Sequence, residues 1–74
     1  MVVVYKTTVE NKRDASNVVT ALDRYLGAGN WSFDLDDRDK ILRIEADDYR
    51  IPVVKNTVAA LLTNNGFVCE ELPV

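Results

Sequence analysis

The sequence contains no histidine, a single cysteine, two prolines and three glycines, and these scarcities narrow the chemistry it can carry. Histidine is the commonest general base and metal ligand near neutral pH, so the chain lacks the residue that catalytic and zinc sites most often use. The lone Cys69 cannot form a disulfide within the chain. We therefore expect a fold held together by packing and a cytoplasmic location, and we expect Cys69 to be a packing residue.

The chain also lacks an excess of positive charge and any long apolar run. Nine lysines and arginines stand against twelve aspartates and glutamates, which gives a net charge of −3. Nucleic acid is not an expected partner, because binding to DNA or RNA needs clustered cations that neutralise phosphates. No segment approaches the ~20 consecutive apolar residues of a membrane helix, so membrane insertion is not expected.

The residues that are present have the composition of an ordinary globular protein, with 47% hydrophobic and 28% charged side chains over 74 positions. This length suits one domain, residues 1–74, and is too short for a deep catalytic cavity. We expect no enzyme activity, no catalytic residues and no cofactor.

Apolar spacing predicts the order strand, helix, hairpin, helix, strand. Residues from Val2 to Val9 are typical of a strand, and the next segment has the three-to-four-residue spacing of an amphipathic helix that Asp14 would cap. The positions that carry this helical spacing are Ala15, Val18, Val19, Leu22 and Leu26. The glycine-containing stretch 27–29 is expected to end the helix.

Apolar spacing also predicts the elements of the second half of the chain. Alternating apolar residues from 31 to 35 and from 42 to 46, separated by a turn at 37–39, predict a β-hairpin. A second helix is expected from near Ile51, with Pro52 in its first turn, to residues 64–66. The last strand is predicted from Phe67 to Leu72.

This order predicts an α+β fold of the ferredoxin-like βαββαβ type, a four-stranded antiparallel sheet with both helices on one face. Right-handed crossovers place strands one and three in the centre, in the order 4-1-3-2. The edge strands then carry Asp34, Asp36, Glu70 and Glu71. Charges at a sheet edge discourage association with other edges, which explains these acids without any function.

Three stretches carry a resemblance to a known family. The first strand runs through residues 7–10 (Thr-Thr-Val-Glu) into the loop Asn-Lys-Arg-Asp at 11–14, residues 31–35 read Trp-Ser-Phe-Asp-Leu, and residues 66–69 read Gly-Phe-Val-Cys. In this order they resemble the heavy-metal-associated domain of copper chaperones and metal-transporting ATPases, over nearly the whole chain. The resemblance implies the same fold and places the functional loop at residues 11–14.

The chain departs from that family at the metal loop, where the family has Cys-x-x-Cys and this sequence has Asn11 and Asp14. A carboxamide and one carboxylate are poor ligands for copper(I), and a hard ion needs more oxygen ligands than the loop supplies. We therefore expect no metal site. Asn11, Lys12, Arg13 and Asp14 become candidates for docking a protein partner, because two cations beside a helix start suit an anionic group. A solvated loop is the alternative.

Three functions stay open at this point. The first is a non-enzymatic, heavy-metal-associated-like binding or interaction module that lacks the Cys-x-x-Cys loop. The second is metal binding or transport through a weaker oxygen site, and the third is a regulatory domain that binds a small molecule. A calcium site in residues 34–45 is not expected, because Arg38 and Asp39 break the EF-hand pattern. The sequence does not set the oligomeric state.

Overall fold

The computed structural model describes residues 1–73, and Val74 lies outside the described residues. The elements follow one another as four strands, two α-helices and a short 3-10 helix at Asp48–Arg50. The strands are β1 (Val2–Thr7), β2 (Trp31–Asp34), β3 (Ile41–Glu45) and β4 (Cys69–Leu72). The helices are α1 (Ser16–Leu26) and α2 (Ile51–Asn64).

All four strands form one antiparallel sheet in the order β2-β3-β1-β4. β1 and β3 are central, β2 and β4 are the edges, and the same sheet reads 4-1-3-2 when it is counted from the β4 edge. β1 pairs with β3 from Val2 opposite Glu45 to Lys6 opposite Ile41. The prediction of an α+β fold with a four-stranded antiparallel sheet and two helices is confirmed.

One face of the sheet and both helices share a single hydrophobic core. In β1 the buried residues alternate, with Val3, Tyr5 and Thr7 facing the helices and Val4 and Lys6 facing away. The two helices bury their apolar stripes in the same cluster, Val18, Leu22 and Leu26 from α1 and Ile51, Val54, Val58 and Leu62 from α2. The opposite face of the sheet has no helix over it within residues 1–73.

Both helices end as the sequence predicts, at glycines in the left-handed region. Gly27 has φ +88° and Gly66 has φ +85°, a conformation in which a side chain would be strained. The Gly27 N–H donates to the Asp23 carbonyl at 3.0 Å and closes the last turn of α1. Pro52 lies in the first turn of α2, where its missing N–H leaves no helical hydrogen bond unmade.

The prediction that Asp14 caps α1 is wrong. The helix begins at Ser16, the cap position is Ala15, and no side chain accepts a hydrogen bond from the first turn. The Asp14 carboxylate instead accepts a hydrogen bond from the Asn11 amide within the preceding turn. A side chain held there is not available to the N–H groups of the helix.

The first and last strands of the chain are shorter than the sequence predicts, since β1 ends at Thr7 and β4 begins at Cys69. The reason lies at the next pair of residues. The Thr8 N–H donates to the Val68 carbonyl, but the Val68 N–H is taken by the Thr8 side-chain hydroxyl at 2.9 Å. A side-chain oxygen thus replaces the backbone partner and ends the ladder.

Candidate docking site at the β1–α1 loop

The β1–α1 loop and the end of β2 lie together at one end of the sheet. β1 and β2 are both antiparallel to β3, so they run in the same direction and finish on the same side. Between the β1–α1 loop and the end of β2 is an open groove of ≈ 410 Å³, lined by Glu10, Asn11, Lys12, Phe33, Asp34, Leu35 and Asp36. We call this the loop groove.

The loop itself is a closed turn held by two reciprocal hydrogen bonds. The Asn11 side-chain carbonyl accepts the Asp14 backbone N–H at 2.9 Å, and the Asn11 amide donates to the Asp14 carboxylate at 3.0 Å. Both side chains are exposed. The two positions that match the family's cysteines in the resemblance therefore have side chains in direct contact.

Thr7 joins the end of β1 to the hairpin turn. Its side chain is 5% exposed, and its hydroxyl donates to the Lys40 carbonyl at 2.6 Å while accepting the Val9 N–H at 3.2 Å. The Thr7 backbone N–H points at the carbonyls of Asp39 and Lys40, both at 3.1 Å. Every polar atom of this buried side chain thus has a partner, which holds the loop against the hairpin.

Lys40 completes this connection from the other side. Its backbone is left-handed, with φ +51°, which is uncommon for a residue other than glycine. Its Nζ donates to the Leu35 carbonyl at 3.0 Å and lies 3.7 Å from the Glu10 carboxylate. Sequence reasoning missed both Thr7 and Lys40, because neither hydrophobic periodicity nor turn composition marks a lysine that must take a positive φ.

The wall of the loop groove is acidic, whereas the tip of the loop is basic. Glu10, Asp34 and Asp36 line the groove against a single cation, Lys12. Among the side chains of residues 1–73, ion pairs join Lys6 to Asp39, Lys40 to Glu10 and Lys55 to Glu71. Asp34 and Asp36 therefore have no ion-pair partner in this part of the chain, nor do Lys12 and Arg13.

The acidic residues of the hairpin do not converge on one point. Asp34 is opposite Ile41 at the start of β3, whereas Glu45 is at the far end of that strand. Asp37 accepts the Asp39 backbone N–H at 2.8 Å, so it serves the turn. Within residues 1–73, no three side chains of the histidine, cysteine, aspartate or glutamate type are grouped so that they could hold a metal ion.

Two titratable groups, one in β1 and one in the paired strand β4, have shifted pKa values. Cys69 is half-buried opposite Thr7, packs against the core as predicted, and has its thiol pKa raised by burial. The pKa of Tyr5 is raised from 10.0 to about 12, first by burial and then by the charges of Glu71 and Cys69. Both shifts favour the neutral form, so neither group has the low pKa of an activated nucleophile.

The predicted docking residues are thus brought together, and the structure adds partners that the sequence did not indicate. Residues 11–14 form one turn, and Phe33 to Asp36 form the facing wall. No family model matches this chain, and no curated protein or solved structure is significantly similar to it. The resemblance to the heavy-metal-associated domain stays a prediction. In the part of the chain that is described, neither helix has the length and apolar character needed to cross a bilayer.

Proposed function

We propose that this chain is a non-enzymatic interaction module of ferredoxin-like topology, similar to a heavy-metal-associated domain without its Cys-x-x-Cys loop. It docks a protein partner in the loop groove. The observation that carries the proposal is the groove itself, because it lies where the family resemblance puts the functional loop. The lone, half-buried cysteine agrees with a reducing, cytoplasmic location.

A preorganised loop supports docking. The Asn11–Asp14 turn, the buried Thr7 hydroxyl and the Lys40 contacts together fix the β1–α1 loop before any partner arrives. Association costs free energy when flexible loops must be ordered, and a loop that is already held avoids part of that cost. The loop groove is therefore suited to binding.

The chemical character of the groove also fits a protein interface. Phe33 and Leu35 are half-buried and offer apolar surface at the wall, while charged side chains surround them. An apolar centre with a polar rim is the usual anatomy of a protein–protein contact.

Photo-crosslinking followed by footprinting tests the docking proposal. A photoreactive amino acid is introduced at Lys12, and a matched variant carries it at the exposed Ala28 on the opposite end of the sheet. We expect one protein to be captured at position 12 and not at position 28. That protein, once purified, should shift the amide resonances of residues 10–14 and 33–36. A footprint elsewhere on the molecule would overturn the proposal.

The relation to the metal-binding family has its own test. Because the side chains at positions 11 and 14 are in contact, the double variant Asn11→Cys with Asp14→Cys should place two thiolates on one copper(I) ion. We expect the double variant to bind copper(I) stoichiometrically and the unmodified protein to show no shift of residues 9–16 with copper(I) or zinc. Metal binding by the unmodified loop would instead favour the metal-handling alternative. A folded double variant without affinity would contradict the family resemblance.

A further inference from the structure

One side of β2 is open to pairing. The Glu45 N–H donates to the Asn30 carbonyl at 2.8 Å, so the hydrogen-bonded pairs with β3 fall at residues 30, 32 and 34. Backbone groups alternate in direction along an antiparallel strand. The N–H and C=O groups of Trp31 and Phe33 therefore point away from β3, toward the free edge of the sheet.

This open edge is held firmly in place. The Trp31 and Phe33 rings contact each other edge to face, with centroids 5.6 Å apart. The Trp31 indole N–H donates to the Asp23 carboxylate of α1 at 2.8 Å. An added strand would consequently meet a backbone that is already fixed in an extended conformation, which is the condition for recognition by strand addition.

Charge decides what kind of strand this edge accepts. Phe33 and Asp34 of this edge also line the loop groove, where Glu10, Asp34 and Asp36 are exposed to solvent. Charged residues at an edge resist pairing with neutral or like-charged strands. A second copy of this edge would bring its own Asp34 and the following Asp36 to the contact and be repelled, whereas lysine or arginine side chains at alternate positions would be attracted.

From these observations we infer that the partner supplies an extended, basic polypeptide segment, which adds as a fifth strand to the free edge of β2 and places a cationic side chain in the loop groove. This inference rests on the proposed docking function and identifies the class of segment that is docked. Main-chain hydrogen bonds to Trp31 and Phe33 provide the register, and Asp34 and Asp36, which have no ion-pair partner within residues 1–73, provide the selectivity.

The test uses defined peptides and the intact protein. An eight-residue peptide that alternates lysine with valine and threonine is titrated to about 1 mM, the range of weak peptide binding, while amide spectra and hydrogen exchange are recorded. We expect the Trp31 and Phe33 amides to shift and to exchange at least about tenfold more slowly. The matched peptide with glutamate in place of lysine should not bind. Asp34→Asn combined with Asp36→Asn should weaken the basic peptide about tenfold, and Glu70→Gln on β4 should not.

The outcomes separate this inference from the docking proposal. Equal binding of acidic and basic peptides, shifts at Cys69 and Glu71 on β4, or unshifted Trp31 and Phe33 amides would overturn strand addition at β2. A crosslinked partner that still shifts residues 10–14 would then leave the docking proposal standing. If the partner's footprint avoids both the loop and residues 33–36, the docking proposal itself fails.

Discussion

The two edge strands of the sheet carry similar acidic residues and use them differently. On β4, Glu71 faces the helices and forms an ion pair with Lys55 of α2 at 2.9 Å. On β2, Asp34 faces the open side of the sheet and has no ion-pair partner within residues 1–73. Glu71 therefore has a partner within the molecule, while Asp34 is available to another molecule.

The difference shows that an acidic residue on an edge strand cannot be interpreted from its position in the sequence. Side chains alternate between the two faces of a strand, so a shift of one residue decides whether a carboxylate meets a helix or solvent. Glu70 and Glu71 are neighbours, yet Glu70 lies opposite Lys6 on the open face and Glu71 opposite Tyr5 on the helix face. Three experiments can break or sharpen the comparison.

Removing the aromatic anchor of β2 should have the largest effect. Trp31→Ala deletes a half-buried ring, its contact with Phe33 and its hydrogen bond to Asp23, and should lower the free energy of unfolding by about 2–3 kcal/mol. Cys69→Ala on β4 should cost about 1 kcal/mol or less, because a small, half-buried side chain is removed. Urea unfolding followed by circular dichroism measures both, since Trp31 is the single tryptophan.

A conservative variant of Trp31 separates the contribution of the aromatic ring to stability from that of the indole hydrogen bond. Trp31→Phe keeps an aromatic ring and loses only the indole hydrogen bond, so it should cost about 1 kcal/mol. If Trp31→Ala and Cys69→Ala had equal costs, the two edges would be anchored alike and β2 would not be the better-held strand.

Alkaline pH should reveal how burial and the Glu71 charge affect the pKa of Tyr5. The pKa of Tyr5 is about 12 in the folded protein and near the ordinary 10.0 in the unfolded chain. As the pH rises above 10, the unfolded state releases this proton first, so stability is intact below pH 10 and falls between pH 10 and 12. Comparing wild type with Tyr5→Phe isolates this contribution from other alkaline titrations.

The two edges should differ in their influence on this titration. Glu71→Gln should reduce the loss without removing it, because burial is the larger cause of the shift and the Glu71 charge the smaller. Asp34→Asn should leave the titration unchanged. NMR titration of the Tyr5 ring measures the pKa directly, and an effect of Asp34→Asn equal to that of Glu71→Gln would contradict the assignment of Glu71 to the helix face of the sheet.

The smallest expected effects are on stability at neutral pH. Glu71→Gln should cost less than about 1 kcal/mol, because the ion pair with Lys55 is partly exposed, and salt should reduce the cost further. Asp34→Asn should change stability by less than about 0.5 kcal/mol, as for a surface side chain without a partner. Thermal unfolding at low and high salt measures the two. A larger cost for Asp34→Asn would mean that this carboxylate serves the fold rather than a partner.

Periodicity predicted the elements well, and what it missed depends on individual hydrogen bonds of side chains. The α1 stripe of Val18, Leu22 and Leu26 is buried as its spacing indicates, and Gly27 and Gly66 end the helices. These features depend on residues close in sequence. The failure of the Asp14 cap depends on a competing local partner, Asn11, whose amide could equally have faced solvent.

Only part of the candidate site could be predicted, because the rest depends on contacts between residues that are far apart in the sequence. Residues 11–14 stood out through the family resemblance, but the facing wall of Phe33 to Asp36 depends on strand order and register across the sheet. The left-handed Lys40 accepts a hydrogen bond from the Thr7 hydroxyl, which is 33 residues away in the chain. No pattern within a short window indicates such a contact.

The antiparallel pairing of β1 with β4 also determines where another protein could be attached to this one. Val4 lies opposite Leu72, so the start of β1 and the finish of β4 are side by side, at the end of the sheet away from the loop groove. β1 has six residues and separates the two ends by about 20 Å. A fluorescent protein or surface tether attached at either strand would leave the groove accessible, and a short bridge between the strands would allow circular permutation.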